Sequence, residues 1–474
     1  MDMLRRRLGG LSLLATAGLL AGCGHAVNAP TAAEASKQGA VNGVWRSDGY
    51  GLVIEVTNGQ AQTYETTSLS CMPEKPSPLV SGADPTGAVS FGRHDQPEET
   101  LRRTSATQGE LRLLGTAADI DLVAIPAIPA ACTHPMANDP LTTFDTFWAN
   151  LAENYNSTVR KHVDWNALRN TYRPQVTANT TPAQLYQIMI NMVQPLGDAH
   201  IEISGPDDDD YEGFRPGTRY TDGPGGIKKK AAVTAVDAHL HDLGVRDIRT
   251  WGDGNLAYAD LPDGRGYLRF TAFQDWDTKP DSYLARQALL DQVLDEVFSD
   301  AHVKAWKSLV IDLRYNDGGD DELGLSLAGR MTDRPYTAYT KIARNSPTDP
   351  TKYGRARVVT VAPTAGRPHY TGPVRLLTSD LTISAGETFI EAMMQRQPAV
   401  TRVGTTTQGV FADNPDRKLP NGWTVSVGNE DYIAPDGRNY EGPGIPPTTT
   451  VPVFTPDQLA SHQDPALDLT TKTP

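Results

Sequence analysis

The sequence is poor in cysteine, in basic residues and in long hydrophobic runs. Its three cysteines are too few for a disulfide scaffold, and no Cys-x-x-Cys pair indicates a structural zinc site. Its 43 basic residues are outnumbered by 57 acidic ones, and the net charge of -14 excludes a surface built for nucleic acid, so no nucleic-acid partner is expected. The apolar stretch at residues 8–20 is shorter than the roughly 20 residues that span a bilayer, so no permanent transmembrane helix is expected.

The chain is long enough for several domains. At 474 residues it exceeds one ordinary hydrophobic core, and its hydrophobic periodicity divides it into segments of different type. We predict a multidomain α+β protein. Its predicted segments are a lipoprotein signal peptide (1–22), a flexible tether (23–40), a small antiparallel β domain (41–135), a helical cap (136–204), an irregular linker region (205–260) and an α/β core (261–470).

The first cysteine, Cys23, lies in a targeting segment. Three arginines at residues 5–7 precede the apolar stretch, as in a secretory signal, and Leu20-Ala21-Gly22-Cys23 resembles the bacterial lipobox, in which the cysteine is acylated. We therefore expect an exported lipoprotein of the cell envelope, attached to a membrane through lipid on Cys23. Gly24 resembles a signal for the outer membrane, facing the periplasm, if the cell is Gram-negative. The alternative is an ordinary signal peptide that contains a cysteine.

Export would also determine the expected redox state of Cys71 and Cys132. In an oxidising compartment, two remaining cysteines favour a disulfide, which would close a loop of about 60 residues and stabilise the fold by about 4 kcal/mol. The alternative is a pair of free buried thiols. The surrounding segment alternates apolar and polar residues, with Asn58-Gly59 as a hairpin turn, which predicts the antiparallel β domain.

A helical pattern begins at about residue 141, and its second helix ends just before His200. An imidazole at that position can point into a cleft, although a lone histidine is more often structural. His239 and His241, in the region predicted to be irregular, are rival candidates for any histidine role. The acidic run at residues 207–210 does not reproduce the spaced ligands of a calcium loop, so no metal site is predicted.

Two turns at the ends of predicted strands could carry chemistry. One contains Gly318-Gly319, whose backbone N–H groups could face an anion, although a plain turn is the simpler interpretation. The other places Ser384 at the N-terminus of a helix, where unpaired N–H groups stabilise negative charge. The alternative there is a capping box, with Ser384 as the N-cap and Glu387 three residues later.

Taken together, these segments resemble peptidase family S41, the tail-specific and tricorn-like serine peptidases. The resemblance covers residues 144–467. The matching residues are Asp164-Trp165-Asn166-Ala167-Leu168-Arg169, Tyr172-Arg173, Leu196-Gly197-Asp198-Ala199-His200, Asp312-Leu313-Arg314 with Asn316 and Gly318-Gly319, Ser384-Ala385-Gly386-Glu387, Glu441-Gly442-Pro443-Gly444-Ile445-Pro446-Pro447 and Asp464-Pro465-Ala466-Leu467.

The resemblance implies that Ser384 is the nucleophile. The N–H of Ala385 and that of Gly318 or Gly319 would then form the oxyanion hole. One branch of the family uses a lysine as base, but Val410 stands at its place here and Lys418 lies beyond the motif. The tricorn-like branch uses a histidine and a glutamate.

In this chain the residues that match that histidine and glutamate are His200 and Glu441. The family's acid acts through a hydroxyl next to the histidine, where this chain has Ala199.

The resemblance also implies a core of the ClpP/crotonase type and a reaction that needs neither metal nor cofactor. Too few residues separate His200 from Tyr267 to hold a PDZ domain. In lacking one, the chain resembles the interphotoreceptor retinoid-binding-protein-like branch of the family. The expected function is a secreted, lipid-anchored serine endopeptidase acting on unfolded proteins or peptides. The alternatives are a non-catalytic binder of apolar ligands and an esterase or amidase for small substrates. The sequence leaves the oligomeric state open.

Overall fold

The computed structural model describes residues 40–206, 209–221 and 226–471. The predicted signal peptide, Cys23 and almost all of the tether lie outside the described residues. Within the described residues, no helix has both the length and the hydropathy that crossing a bilayer requires.

The N-terminal part is a closed antiparallel sheet, here called the β domain. Its strands are β1 (Gly43–Ser47), β2 (Leu52–Thr57), β3 (Gln60–Thr66), β4 (Cys71–Pro73), β5 (Ser77–Ser81), β6 (Ala88–Arg93), β7 (Gln96–Arg103), β8 (Gln108–Leu113) and β9 (Ile120–Ile125). The sheet order β2-β1-β9-β8-β7-β6-β5-β3 closes through the β2–β3 pair, and β4 adds to β3. Alternate residues such as Trp45, Ile54 and Phe91 fill its interior.

The predicted disulfide is present. Cys71 on β4 is bonded to Cys132 in the short 3-10 helix Ala130–Thr133, which follows the last strand of the β domain. The bond therefore fixes the end of this domain to one of its strands.

Three helices make the helical cap: α1 (Pro140–Asn154), α2 (Trp165–Tyr172) and α3 (Pro182–Val193). Asp139 caps α1 by accepting from the N–H groups of Leu141 and Thr142, and Thr181 forms a capping box on α3. Apolar residues of α1 and α3, among them Phe147 and Met189, form one core.

The prediction that residues 205–260 are irregular is corrected by the structure. Beyond β10 (Glu202–Ile203), this segment contains β11 (Tyr211–Glu212), α4 (Lys229–Asp242), β12 (Arg249–Trp251) and β13 (Leu256–Asp260). The helix escaped the sequence pattern because alanines at 232 and 235 supply half of its buried face, which leaves few large apolar residues to mark a period.

The remaining elements complete the α/β core. They are β14 (Arg265–Phe270), α5 (Tyr283–Val297), α6 (Asp300–Ala305), β15 (Ser308–Asp312), α7 (Asp321–Gly329), β16 (Tyr336–Ala343), β17 (Arg357–Val361), β18 (Val374–Thr378), α8 (Ala385–Met393), β19 (Thr401–Gly404), β20 (Asp416–Lys418), β21 (Thr424–Ser426), β22 (Glu430–Ile433), β23 (Thr449–Thr450), α9 (Pro456–Ser461) and α10 (Pro465–Leu469).

A central sheet of order β12-β13-β14-β15-β18-β19-β23 lies between two helical layers. From β14 to β23 its strands pair in parallel. On one face, Leu309 and Ile311 of β15 pack in the same core as α5, α7 and α8; on the other, Val310 packs with α4 and α10. Because β15 and β18 are parallel neighbours, the loops that follow them meet at one edge of the sheet.

Two smaller sheets join the parts of the chain. The order β11-β10-β21-β20 connects the helical cap to the core, and β17-β16-β22 packs beside the central sheet. The β domain contacts β22 through Tyr50, whose hydroxyl bonds to the Glu430 carboxylate. Glu430 also bonds to the buried ammonium of Lys341 on β16. A polar cluster thus crosses the boundary between the β domain and the core.

Candidate active site

Ser384 occupies a strained turn between β18 and α8. Its backbone angles are φ 54° and ψ -121°, a region that residues with a side chain rarely adopt. Its N–H donates to the Val410 carbonyl at 3.0 Å, which holds the turn in place. A sharp strand-to-helix turn of this type presents a serine hydroxyl outward at the edge of a sheet.

The alternative capping box at this helix is absent, because the Ser384 side chain makes no cap hydrogen bond. Glu387 instead accepts from the N–H groups of Gly409 at 2.7 Å and Val410 at 2.8 Å. Burial raises the pKa of this carboxyl to about 7, although the N–H donors oppose the shift. Glu387 therefore ties α8 to the loop that contacts the Ser384 backbone.

The glycine pair lies directly against Ser384. A Cβ added to Gly318, which has φ 78°, would lie 2.6 Å from the Cβ of Ser384, so only glycine allows this approach. The Gly318 N–H is already donated to Asn316 Oδ1 at 3.0 Å. Of the two predicted oxyanion donors in this pair, Gly319 is therefore favoured by the geometry.

Asn316 joins the two loops that carry the glycines and the serine. It is fully buried; its N–H donates to the Leu381 carbonyl, and its own carbonyl accepts from Ile383. Its side-chain amide donates to the Phe270 carbonyl on β14 at 2.9 Å. These bonds fix the distance between the loops.

His200 and Ser384 line the same cavity, which has a volume of about 110 Å³. Its described lining residues are Ala199, His200, Glu202, Glu212, Thr221, Gln274, Asp317, Gly319, Ile383, Ser384 and Asn414. Ala199 packs with Ile383 and Val410, so the loop before β10 lies against the serine turn. The structure thus brings together the predicted nucleophile, base and Gly319.

The charge state of His200 is set by its burial. Desolvation lowers the pKa of this imidazole, while the carboxylates of Asp198 and Asp413 and the Ala412 carbonyl oppose the decrease. A lowered pKa keeps the ring neutral near neutral pH, as a general base requires. Within the described residues, no hydrogen bond joins His200 to Ser384, and His200 Nδ1 has no partner.

Glu441 lies near this site but contacts backbone rather than the His200 ring. Its Oε2 accepts from the N–H groups of Phe411 at 2.8 Å and Ala412 at 3.3 Å. Burial raises the pKa of Glu441 to about 8, and the nearby charge of Asp198 adds to the increase. The hydrogen bonds of Glu441 therefore reach the neighbourhood of His200 through the segment that contains Ala412.

Asp198 is the acid beside His200 that sequence reasoning did not single out. Its Oδ1 accepts from the His200 backbone N–H at 2.9 Å, and its Oδ2 bonds to the Tyr155 hydroxyl and the Lys161 ammonium. The sequence feature that could have identified Asp198 is its position two residues before His200 in the matching motif.

The rival candidates lie elsewhere. Lys418 donates from its ammonium to Glu74 of the β domain at 2.8 Å, away from the cavity. His239 bonds to Asp468, and His241 bonds to the Val245 carbonyl, so both lie among contacts of α4. None of these three residues lines the cavity that contains Ser384.

Two of the matching motifs, although far apart in the sequence, are joined by buried ion pairs. The Arg314 guanidinium bonds to Asp312 at 2.6 Å and to Asp464 at 2.6 Å, and all three side chains are almost fully buried. Burial alone would raise the pKa of Asp312, but the positive charge and hydrogen bonds of Arg314 lower it below its usual value. They attach the C-terminal helix α10 to the end of β15.

The sequence matches two family models. Residues 264–451 match peptidase family S41, and residues 136–194 match the tricorn protease C1 domain. A CtpA-like serine protease of Staphylococcus haemolyticus is 26% identical over 151 residues, which is 32% of this chain and 28% of that relative. The chain therefore aligns with less than a third of the length of this curated relative.

The fold also matches a solved structure. A Parabacteroides merdae protein described as a candidate peptidase superposes with a TM-score of 0.56 at 22% identity, covering 71% of this chain and 96% of that one. This likeness confirms the mixed α/β architecture that the sequence predicted.

Proposed function

Because the chain belongs to peptidase family S41, we propose that it is a serine endopeptidase that uses Ser384 as nucleophile and His200 as base. The observation that carries the proposal is the strained backbone of Ser384, held against Gly318 in a cavity that His200 also lines. Strain of this kind persists where the surrounding structure enforces it, often at functional sites.

In the proposed reaction, Ser384 Oγ attacks the scissile carbonyl carbon while His200 accepts the hydroxyl proton. The N–H groups of Ala385 and Gly319 donate to the oxyanion that forms. His200 then gives its proton to the leaving amine, and water hydrolyses the acyl-enzyme. No hydrogen bond joins the His200 ring to Ser384 within the described residues; in this proposal the bond forms when substrate binds, as catalytic hydrogen bonds often do.

Glu441 keeps a supporting role in this proposal. Ala199 provides no hydroxyl that could connect Glu441 to His200. The hydrogen bonds of Glu441 to Phe411 and Ala412 instead hold the segment that contacts His200. The apolar-binder alternative is less well supported, because the lining of the cavity includes three carboxyl side chains and a histidine, which make a polar rather than an apolar surface. An esterase or amidase would share the same chemistry.

The test is digestion of reduced casein by the purified protein beside its Ser384→Ala variant, with the products read by mass spectrometry. We expect cleavage by the parent and none by the variant. Cleavage that persists in the variant would remove Ser384 from the mechanism. If neither protein cuts casein but the parent alone hydrolyses small esters, the esterase alternative replaces the peptidase.

We also propose that the protein is exported and anchored through lipid on Cys23, in the outer membrane facing the periplasm if the host is Gram-negative. The support is the lipobox-like sequence before this residue. Metabolic labelling with a radioactive fatty acid should mark the parent and a Cys132→Ser control but not Cys23→Ser. Labelling of Cys23→Ser would contradict the anchor.

A further inference from the structure

Gln274 lies next to the glycine pair of the candidate active site. The N–H of Phe273 donates to the Gly318 carbonyl at 2.6 Å, and Phe273 forms a parallel β-bridge with Gly319. The contact continues into the next residue, because a Cβ added to Gly319 would lie 2.8 Å from the backbone nitrogen of Gln274. The backbone of Gln274 is therefore held against the residue that the geometry favours as oxyanion donor.

The side chain of Gln274 is buried at this position without a partner in the protein. It is 8% exposed and lines the cavity that contains Ser384 and His200, yet its carboxamide makes no hydrogen bond within the described part of the chain. A carboxamide has two N–H donors and an oxygen acceptor, and such groups are normally paired when they are buried. The carboxamide of Gln274 therefore faces a cavity in which a bound molecule can supply its partner.

Gln408 is a second buried glutamine of this fold and provides the contrast. Its oxygen accepts from the Thr218 hydroxyl at 2.8 Å, and its Nε2 donates to the carbonyls of Arg219 at 3.1 Å and Asp380 at 3.2 Å. Both ends of that amide are thus paired with protein atoms, and Gln408 is not among the described residues that line the cavity. Gln408 joins segments of the fold, whereas Gln274 has no such role.

The main chain of a polypeptide is the ligand whose chemistry matches the Gln274 carboxamide. A peptide unit carries one N–H donor and one carbonyl acceptor, so a carboxamide can both donate to it and accept from it. The cavity has a volume of only about 110 Å³, so a group bonded to Gln274 lies close to Ser384. A peptide whose scissile carbonyl reaches Ser384 brings its neighbouring peptide units into this space, and a small ester does not.

We infer that Gln274 is a substrate-binding residue, which forms hydrogen bonds with a main-chain amide next to the scissile bond. The inference rests on the proposed peptidase function and adds the part of the substrate that is recognised. It also implies a preference for peptides over small esters, because an ester without a flanking amide leaves the buried carboxamide unpaired.

The probes are acetyl-Ala-Ala-Ala-Ala-Ala-amide, whose side chains form no hydrogen bonds, and p-nitrophenyl acetate, which has no amide. Gln274→Met removes the carboxamide with little change in size. It should lower kcat/KM for the peptide about 10-fold, mainly through a higher KM, because the lost contact is to a part of the substrate that does not react. Hydrolysis of the ester should change by no more than about 2-fold. Gln187→Met, exposed on α3 and outside the cavity lining, should leave both unchanged.

Two kinetic results would overturn the inference. Equal losses with the peptide and the ester would show that Gln274 supports the structure of the site rather than the substrate. An unchanged kcat/KM for the peptide would show that its carboxamide makes no contact with the main chain. Circular dichroism of Gln274→Met verifies that the variant is folded, so that a selective loss with the peptide reports on the carboxamide.

Binding of the same peptide to Ser384→Ala, measured by calorimetry, separates this inference from the proposed function. If the parent cleaves no peptide, the peptidase proposal fails. Binding that is about 10-fold weaker in Ser384→Ala/Gln274→Met than in Ser384→Ala would still support the role of Gln274. Equal binding to the two variants, or no binding to Ser384→Ala, would overturn it.

Discussion

A Cβ on Gly318 would lie 2.6 Å from the Cβ of Ser384, so the backbone of one loop touches the side chain of the other. This contact exists because β15 and β18 are adjacent parallel strands whose loops are bonded through Asn316. The next residue, Gly319, lines the same cavity as Ser384.

The first prediction concerns this contact. Gly318→Ala should lower kcat by at least about 100-fold, because the added methyl displaces Ser384 and a shift of about 1 Å is sufficient for such a loss. The control is Gly366→Ala, which has a comparable φ of 69° but no atom within 4 Å of the added Cβ. Steady-state kinetics on casein-derived peptides measures both. Equal losses in the two variants would attribute the effect to backbone strain alone.

The second prediction separates the two candidate bases. His200→Ala should reduce kcat by about 100-fold to 10,000-fold, the contribution typical of general base catalysis. Lys418→Ala should change it by no more than about 2-fold, because its ammonium is bonded to Glu74. The reverse result, with Lys418 essential and His200 dispensable, would rule out the histidine base.

The third prediction is the pH dependence of kcat/KM. The His200 imidazole must be neutral to accept a proton, and burial lowers its pKa below the usual value of about 6.5. Activity should therefore be complete at pH 7 and decline as the pH falls through that lowered pKa. An acid limb with a midpoint clearly above pH 6.5 would contradict the assigned environment of His200.

The fourth prediction concerns stability. Asp464→Asn should lower the free energy of unfolding by roughly 3–5 kcal/mol, because it leaves the buried Arg314 guanidinium short of one anionic partner. Asparagine still caps helices, so loss of the cap on α10 does not explain a change of this size. Asp468→Asn, an exposed control paired with His239, should cost less than about 1 kcal/mol. Urea unfolding of both variants distinguishes a buried pair from a surface one.

The sequence predicted those elements whose cause is local. Alternating residues mark the β domain, Asn58-Gly59 marks the turn between β2 and β3, and the cysteine count, in a chain expected to be exported, predicted the disulfide. The two loops at Gly318 and Ser384 follow buried strands, which continuous runs of apolar residues predict. Their proximity followed from the family resemblance.

What sequence reasoning missed depends on contacts between distant residues. The helix α4 is buried through alanine, which leaves no strong periodic pattern. Glu387 has the spacing of a capping box, but the positive φ of Ser384 directs it instead to Gly409 and Val410. Glu202 and Glu212 lie opposite each other only because two short strands pair, and no local pattern indicates this pairing.

The hydrogen bond between Tyr50 and Glu430 attaches the β domain to the core that contains the candidate active site. Glu430 and Lys341 are almost fully buried, and Lys341 also pairs with Asp413, one of the acids whose charge acts on His200. A chain trimmed to begin at residue 136 would open this cluster to solvent and remove one of its members. The β domain therefore supplies part of the wall around this buried cluster of the core.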